Sequence, residues 1–168
     1  MKRLILVRHA KTEPMSDAGS DYSRKLKKRG HKDAAIVSQH LQQKGYTPDA
    51  IISSPATRAL QTAEIFAETY DIDSSEIREA PFLYDGETTI GFLAGIASEA
   101  QAGEETLMVV GHNPDMAMLS MRLTNKEFFN FPTCAVTVIN FSVNEWSDMQ
   151  ARSGRAEYFI YPKKLKEK

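Results

Sequence analysis

The strongest constraint on this chain is a short apolar run, Leu4-Ile5-Leu6-Val7, that stops at Arg8-His9. Four apolar residues without alternation read as a strand buried on both faces. Comparable runs recur at Ala50-Ile51-Ile52 and Leu107-Met108-Val109-Val110, with helix-period segments between them. Buried strands that alternate with helices predict a mostly parallel central sheet covered on both sides, a three-layer α/β/α fold. In open sheets of this kind ligands bind beyond the carboxyl ends of the strands. Arg8-His9, a fixed cation beside an imidazole at a strand exit, therefore marks the start of a site.

The rest of the pattern fills in that plan. Helices are expected over 26–44, with Ala34, Val37 and Leu41 on one face and Gly45 at the C-cap, and over 55–70, 88–100 and 114–123. Ser54-Pro55 and Asn113-Pro114 each read as an N-cap followed by proline at the first helical position. Gly91 and Gly95 weaken the third of these helices but suit close packing on the sheet. A third strand is expected over 77–83 with a turn at Asp85-Gly86, a fifth over 134–143 and a sixth over 157–161, leaving 163–168 as a frayed basic tail. With 168 residues and no linker or repeat, residues 1–168 are expected to form one domain.

Charge and cysteine content narrow the partners. A net charge of −1 gives no global electrostatic case for nucleic acid or an anionic membrane, so an anion site has to come from local arginines. No apolar run approaches the roughly 20 residues of a membrane helix, and no leader is visible. Cys134 stands alone, which excludes an internal disulfide and fits a reducing, cytoplasmic setting.

Three strand exits carry residues suited to phosphate: Arg8-His9, Arg58 and His112. Taken singly, His112 reads best as a core histidine. Arg58 stands in a first helical turn, where the helix dipole does not favour a cation, so an anion-binding role is open to it. Parallel strands bring their carboxyl ends to one edge, where the three can converge. Two guanidinium groups can clamp phosphate oxygens, and a neutral imidazole can act as nucleophile. The other ring nitrogen of His9 is expected to donate to a backbone carbonyl, and Arg8 and Arg58 to hold the ring neutral. The basic run Arg24, Lys25, Lys27, Lys28 and Arg29 is either a solvated helix start or substrate-facing. Other chemistries fit less well: there is no phosphate-binding loop of the nucleotide-hydrolase type, no His or Cys metal motif, and no arginine six residues after Cys134.

Three motifs together, Leu6-Val7-Arg8-His9-Ala10-Lys11-Thr12, the stretch from Ser53 through Arg58 to Ala63, and Val110-Gly111-His112-Asn113-Pro114, resemble the histidine phosphatase superfamily, also called phosphoglycerate mutase-like. The likeness spans residues 1–145. The short interval between the second and fourth strands, Phe131-Pro132-Thr133 and the Arg24…Leu26 pair resemble its bacterial phosphohistidine phosphatase branch, which lacks the large helical insertion of the mutases. The resemblance implies a nucleophile at His9, phosphate held by Arg8, Arg58 and His112, substrate contacts at Thr12, Arg24 and Asn113, and neither metal nor cofactor. The implied substrate is a phosphohistidine protein or a small phosphoester. A mutase in the same site and an idle phosphate-binding module are the alternatives. The acid that would protonate the leaving group is open between Glu79, Asp85, Glu87 and none.

Overall fold

The computed structural model describes residues 1–128 and 130–166. Its strands are β1 (Lys2–Arg8), β2 (Ala50–Ser53), β3 (Arg78–Glu79), β4 (Thr106–Gly111), β5 (Val136–Phe141) and β6 (Gly154–Ile160). They form one sheet in the order β3-β2-β4-β1-β5-β6. The pairings among the first four are parallel, and β5 runs antiparallel to both its neighbours.

The apolar runs behave as double-faced strands. Leu4 and Leu6 pack with α3 (Phe82–Asp85), α4 (Thr89–Glu99) and α5 (Asp115–Thr124). Ile5 and Val7 face the opposite way, onto α1 (Lys28–Gln43), α2 (Thr57–Thr69) and Leu165 of α6 (Pro162–Lys166). Successive side chains of a strand point to opposite faces, so a continuous apolar run requires helices on both. That is the three-layer α/β/α arrangement expected, and the short connection from β2 to β4 carries no large insertion.

Several local expectations need correction. The third strand is two residues long rather than seven. Ala80 still donates to Ser53 O (2.9 Å), but Pro81 has no N–H to continue the ladder and begins a helical turn instead, closed by Gly86 at φ 91°. Helices α2 and α5 begin at Thr57 and Asp115, beyond the Ser-Pro and Asn-Pro pairs. Gly95 accommodates the Phe82 ring rather than the sheet, since a Cβ there would lie 2.6 Å from it. The basic tail is helical through Lys166, whose Nζ bonds Asp33 Oδ1 at 2.5 Å; the end of that predicted fray lies outside the described residues.

Register is what positions the site. Arg8 of β1 pairs with Gly111 of β4, and Ser53 of β2 with Val110. The next residues along the neighbouring parallel strands are then His9 and His112, with Ser54 on the other side.

Candidate active site

His9 continues the ladder by one bond, its amide donating to Gly111 O at 3.0 Å. Its ring lies 5.2 Å from that of His112, centroid to centroid. Arg58 enters from the first turn of α2, four residues beyond Ser54, and Arg8 from the last residue of β1. Together with Lys11, Thr12, Arg24 and Asn113 they line one cleft of about 410 Å³ at the carboxyl edge of the sheet. His9, Arg58 and His112 are each less than a tenth exposed.

Each side chain is held from behind. The Nδ1 of His9 meets the carbonyl of Ala10 at 2.8 Å; because a carbonyl only accepts, the ring proton lies on Nδ1 and the lone pair on Nε2. The Ala10 amide donates to Thr62 Oγ1, which in turn donates to Arg58 O, so helix α2 braces the residue after His9. Arg8 Nη1 and Asn113 Nδ2 both donate to Phe131 O, at 3.0 and 2.9 Å. Ser54 Oγ accepts from the Ala56 amide and lies 2.8 Å from His112 Nε2. That contact ties His112 Nε2 to Ser54 and leaves Nδ1 facing the cleft without a protein partner. Among the described residues, the buried side-chain nitrogens without a partner are Arg8 Nε, Arg58 Nε and His112 Nδ1. All three belong to residues of this cleft. Buried polar groups are satisfied as a rule, so three orphans in one place describe a site built for an acceptor-rich ligand.

Electrostatics agree. Burial pulls His9 down to about 3; the Ala10 carbonyl opposes this, and the charges of His112, Arg58 and Arg8 add to it. Burial likewise pulls His112 down to about 4, assisted by Arg58. Both imidazoles are therefore neutral at neutral pH. The arginines expected to keep His9 neutral contribute, but desolvation is the larger cause. The structure also brings in groups that the sequence did not flag. Asp21 bonds Arg58, Arg24 and Tyr84, and Tyr84 packs edge-on against the His112 ring at 5.6 Å. Arg24 also donates to Thr12 Oγ1 at 2.7 Å. A lone aspartate in a polar loop and a tyrosine between an expected strand and an expected turn carry no local signal of such contacts. Glu79, Asp85 and Glu87 are absent from the cleft lining; the carboxylate within it is Glu13. Among the described residues no group of three or more His, Cys, Asp or Glu is placed to hold a metal ion, and no helix is long and apolar enough to cross a membrane.

Comparison with known proteins gives the same picture. Residues 4–84 match the family model of the histidine phosphatase superfamily (branch 1). An uncharacterized chloroplastic protein of Arabidopsis thaliana is 30% identical over 159 residues, covering 91% of this chain and 72% of the relative. The structure of the protein histidine phosphatase SixA complexed with tungstate superposes with a TM-score of 0.81 at 21% identity, over 97% of this chain and 99% of that one. A protein of Agrobacterium tumefaciens assigned as a phosphohistidine phosphatase, SixA, superposes with a TM-score of 0.77 at 27% identity, over 96% and 98% of the two chains.

Proposed function

Because this chain belongs to the histidine phosphatase superfamily, we propose that it is a metal-independent phosphatase acting on protein phosphohistidine through a covalent phospho-His9 intermediate. His9 Nε2 attacks phosphorus as the bond to the leaving nitrogen breaks; the substrate ring, protonated on its other nitrogen, takes the bonding pair and departs as a neutral imidazole. The Nδ1 proton stays with the Ala10 carbonyl while positive charge develops on the ring. Arg8, Arg58 and His112 Nδ1–H donate to the three phosphoryl oxygens, where charge must be stabilised as the group transfers. Thr12, Arg24 and Asn113 lie around the substrate end of the cleft, with Asn113 and Thr12 fixing neighbours as much as the ligand. Water then attacks phospho-His9, releasing inorganic phosphate and restoring neutral His9.

The observation that carries this reading is the set of orphaned donors around a histidine whose Nδ1 is already committed. The substrate choice rests on the lining of the cleft. Glu79, Asp85 and Glu87, the carboxylates considered for protonating an alkoxide, do not line it, and Glu13 is the carboxylate that does; an imidazole protonated on its far nitrogen leaves without the acid that an alkoxide requires. The single cysteine supports a cytoplasmic setting.

Rapid-quench mixing with a radiolabelled phosphohistidine protein tests the proposal. An acid-labile, alkali-stable label on the enzyme, absent from His9→Ala, is the expected result. A folded His9→Ala protein that still turns over would refute the nucleophile. A specificity constant higher for sugar phosphates than for phosphohistidine would refute the substrate class.

A further inference from the structure

Segment 13–27, between β1 and α1, borders the cleft through Glu13, Pro14 and Arg24. Its base is fixed by the Thr12–Leu26 bridge, by Glu13 N to Lys25 O at 2.9 Å and by Leu26 N to Gln61 Oε1 at 2.8 Å. A further bond, Thr57 N to Tyr22 O at 3.0 Å, locates the backbone beside Asp21. The loop is thus anchored without the Asp21 side chain.

That side chain and its own carbonyl grip Arg58. Nη1 donates to Asp21 O at 2.7 Å and Nη2 to Asp21 Oδ2 at 3.1 Å. A guanidinium has five N–H donors in a rigid plane. Asp21 occupies one on each terminal nitrogen, which leaves Nε–H and the second N–H of each for a ligand. Asp21 Oδ2 also accepts from Tyr84 at 2.9 Å, and Oδ1 accepts from Arg24 at 3.3 Å. Burial pushes the Asp21 carboxyl up, but the Tyr84 hydrogen bond and the charge and hydrogen bonds of Arg58 and Arg24 outweigh it and leave it below its ordinary value. One carboxylate therefore sits between two of the cleft's cations and against the tyrosine that packs on His112.

We propose that Asp21 is a positioning residue for Arg58, holding the outer edge of its guanidinium so that the remaining donors stay turned to the phosphoryl group, with Tyr84 bracing the carboxylate. This rests on the phosphatase reading above for its kinetic arm, though not for its binding arm. The same carboxylate separates the positive charges of Arg58 and Arg24, so the fork is held in place before any anion arrives. A donor already in place stabilises the transition state most.

The test is a double-mutant cycle of Asp21→Ala and Arg58→Ala, with Asp21→Asn and Tyr84→Phe alongside. Two readouts are taken: inorganic phosphate binding by titration calorimetry and kcat on the phosphohistidine protein. Asp21→Ala is expected to weaken phosphate binding by about 3- to 10-fold and to lower kcat by about 10-fold or more, as for a misaligned transition-state donor. In the Arg58→Ala protein the same change is expected to act within about twofold on both, because there is no fork left to hold. Asp21→Asn, which keeps an acceptor of the same reach, is expected between Asp21→Ala and the native protein, and Tyr84→Phe to give a smaller loss of kcat. Equal costs with and without Arg58, or no cost at all, would overturn the proposal. Should Asp21→Ala fail to fold, Asp21→Asn carries the cycle. A protein that binds phosphate with this coupling but never turns over would refute the phosphatase reading and leave the Asp21 assignment standing.

Discussion

Lowering the pH from 6.5 to 4.5 should destabilise this protein through its two buried imidazoles. His9 and His112 are held near 3 and 4, against about 6.5 for an exposed imidazole. Because the native values are depressed, the unfolded chain binds more protons across this window. The stabilisation is therefore present above pH 6.5 and lost as pH falls toward the native values. Each unit costs up to about 1.4 kcal/mol per imidazole. Over the two units the loss comes to about 2.5 kcal/mol per ring, on the order of 5 kcal/mol for both, a large part of a typical domain's stability. The carboxyl groups held below their ordinary values, Asp21, Asp73 and Glu104, act with the same sign, and Asp115, which burial holds above its own, acts against them; both contributions persist in a protein lacking the two imidazoles, so the comparison with that protein isolates the histidines. Urea unfolding at constant ionic strength, at half-unit steps, measures the slope. His9→Gln/His112→Gln should flatten it, since every other titratable group is common to both proteins. Inorganic phosphate should also flatten it, because an anion beside His112 favours its charged form. Identical slopes for the native and doubly substituted proteins would refute the burial argument.

Other outcomes follow from single contacts. Arg58→Ala should lower kcat/KM by about 10²-fold, the loss expected for one transition-state donor; steady-state kinetics on a folded variant checks it. Ser54→Ala removes the partner of His112 Nε2 and should lower kcat by about 10-fold by freeing the ring to adopt the other tautomer, with the Nδ1 and Nε2 shifts read by nitrogen NMR. Gly30→Ala would place a Cβ 2.2 Å from Lys11 O, a backbone atom two residues from His9. It should cost about 2–3 kcal/mol in urea unfolding and reduce turnover as well.

Much of this architecture is legible from residue order. Leu4-Ile5-Leu6-Val7 and Leu107-Met108-Val109-Val110 have no polar face, so each needs helices on both sides, and the three-layer sheet follows. Thr62 and Gln61 show the opposite case. They belong to a motif readable in the sequence, yet their work, bracing Ala10 and Leu26, appears only when α2 is docked. In the third strand apolar content argues for extension, while the missing N–H of Pro81 ends the ladder.

Sequence by itself determined which apolar runs form the central strands, where β1, β2 and β4 end, and that imidazoles and guanidinium groups stand at or just beyond those ends, because burial and chain reversal are written in patterns of a few residues. It also offered Arg8, His9, Arg58 and His112 as a set. Tertiary structure decided the rest: the Arg8–Gly111 register that puts His9 beside His112, the grip of Asp21 on Arg58 across 37 residues, and the absence of Glu79, Asp85 and Glu87 from the cleft lining. Pairings that far apart along the chain depend on how strands slide past one another and on where a loop comes to rest. A one-residue slip would turn every side chain to the opposite face, and no local pattern records which slip was avoided.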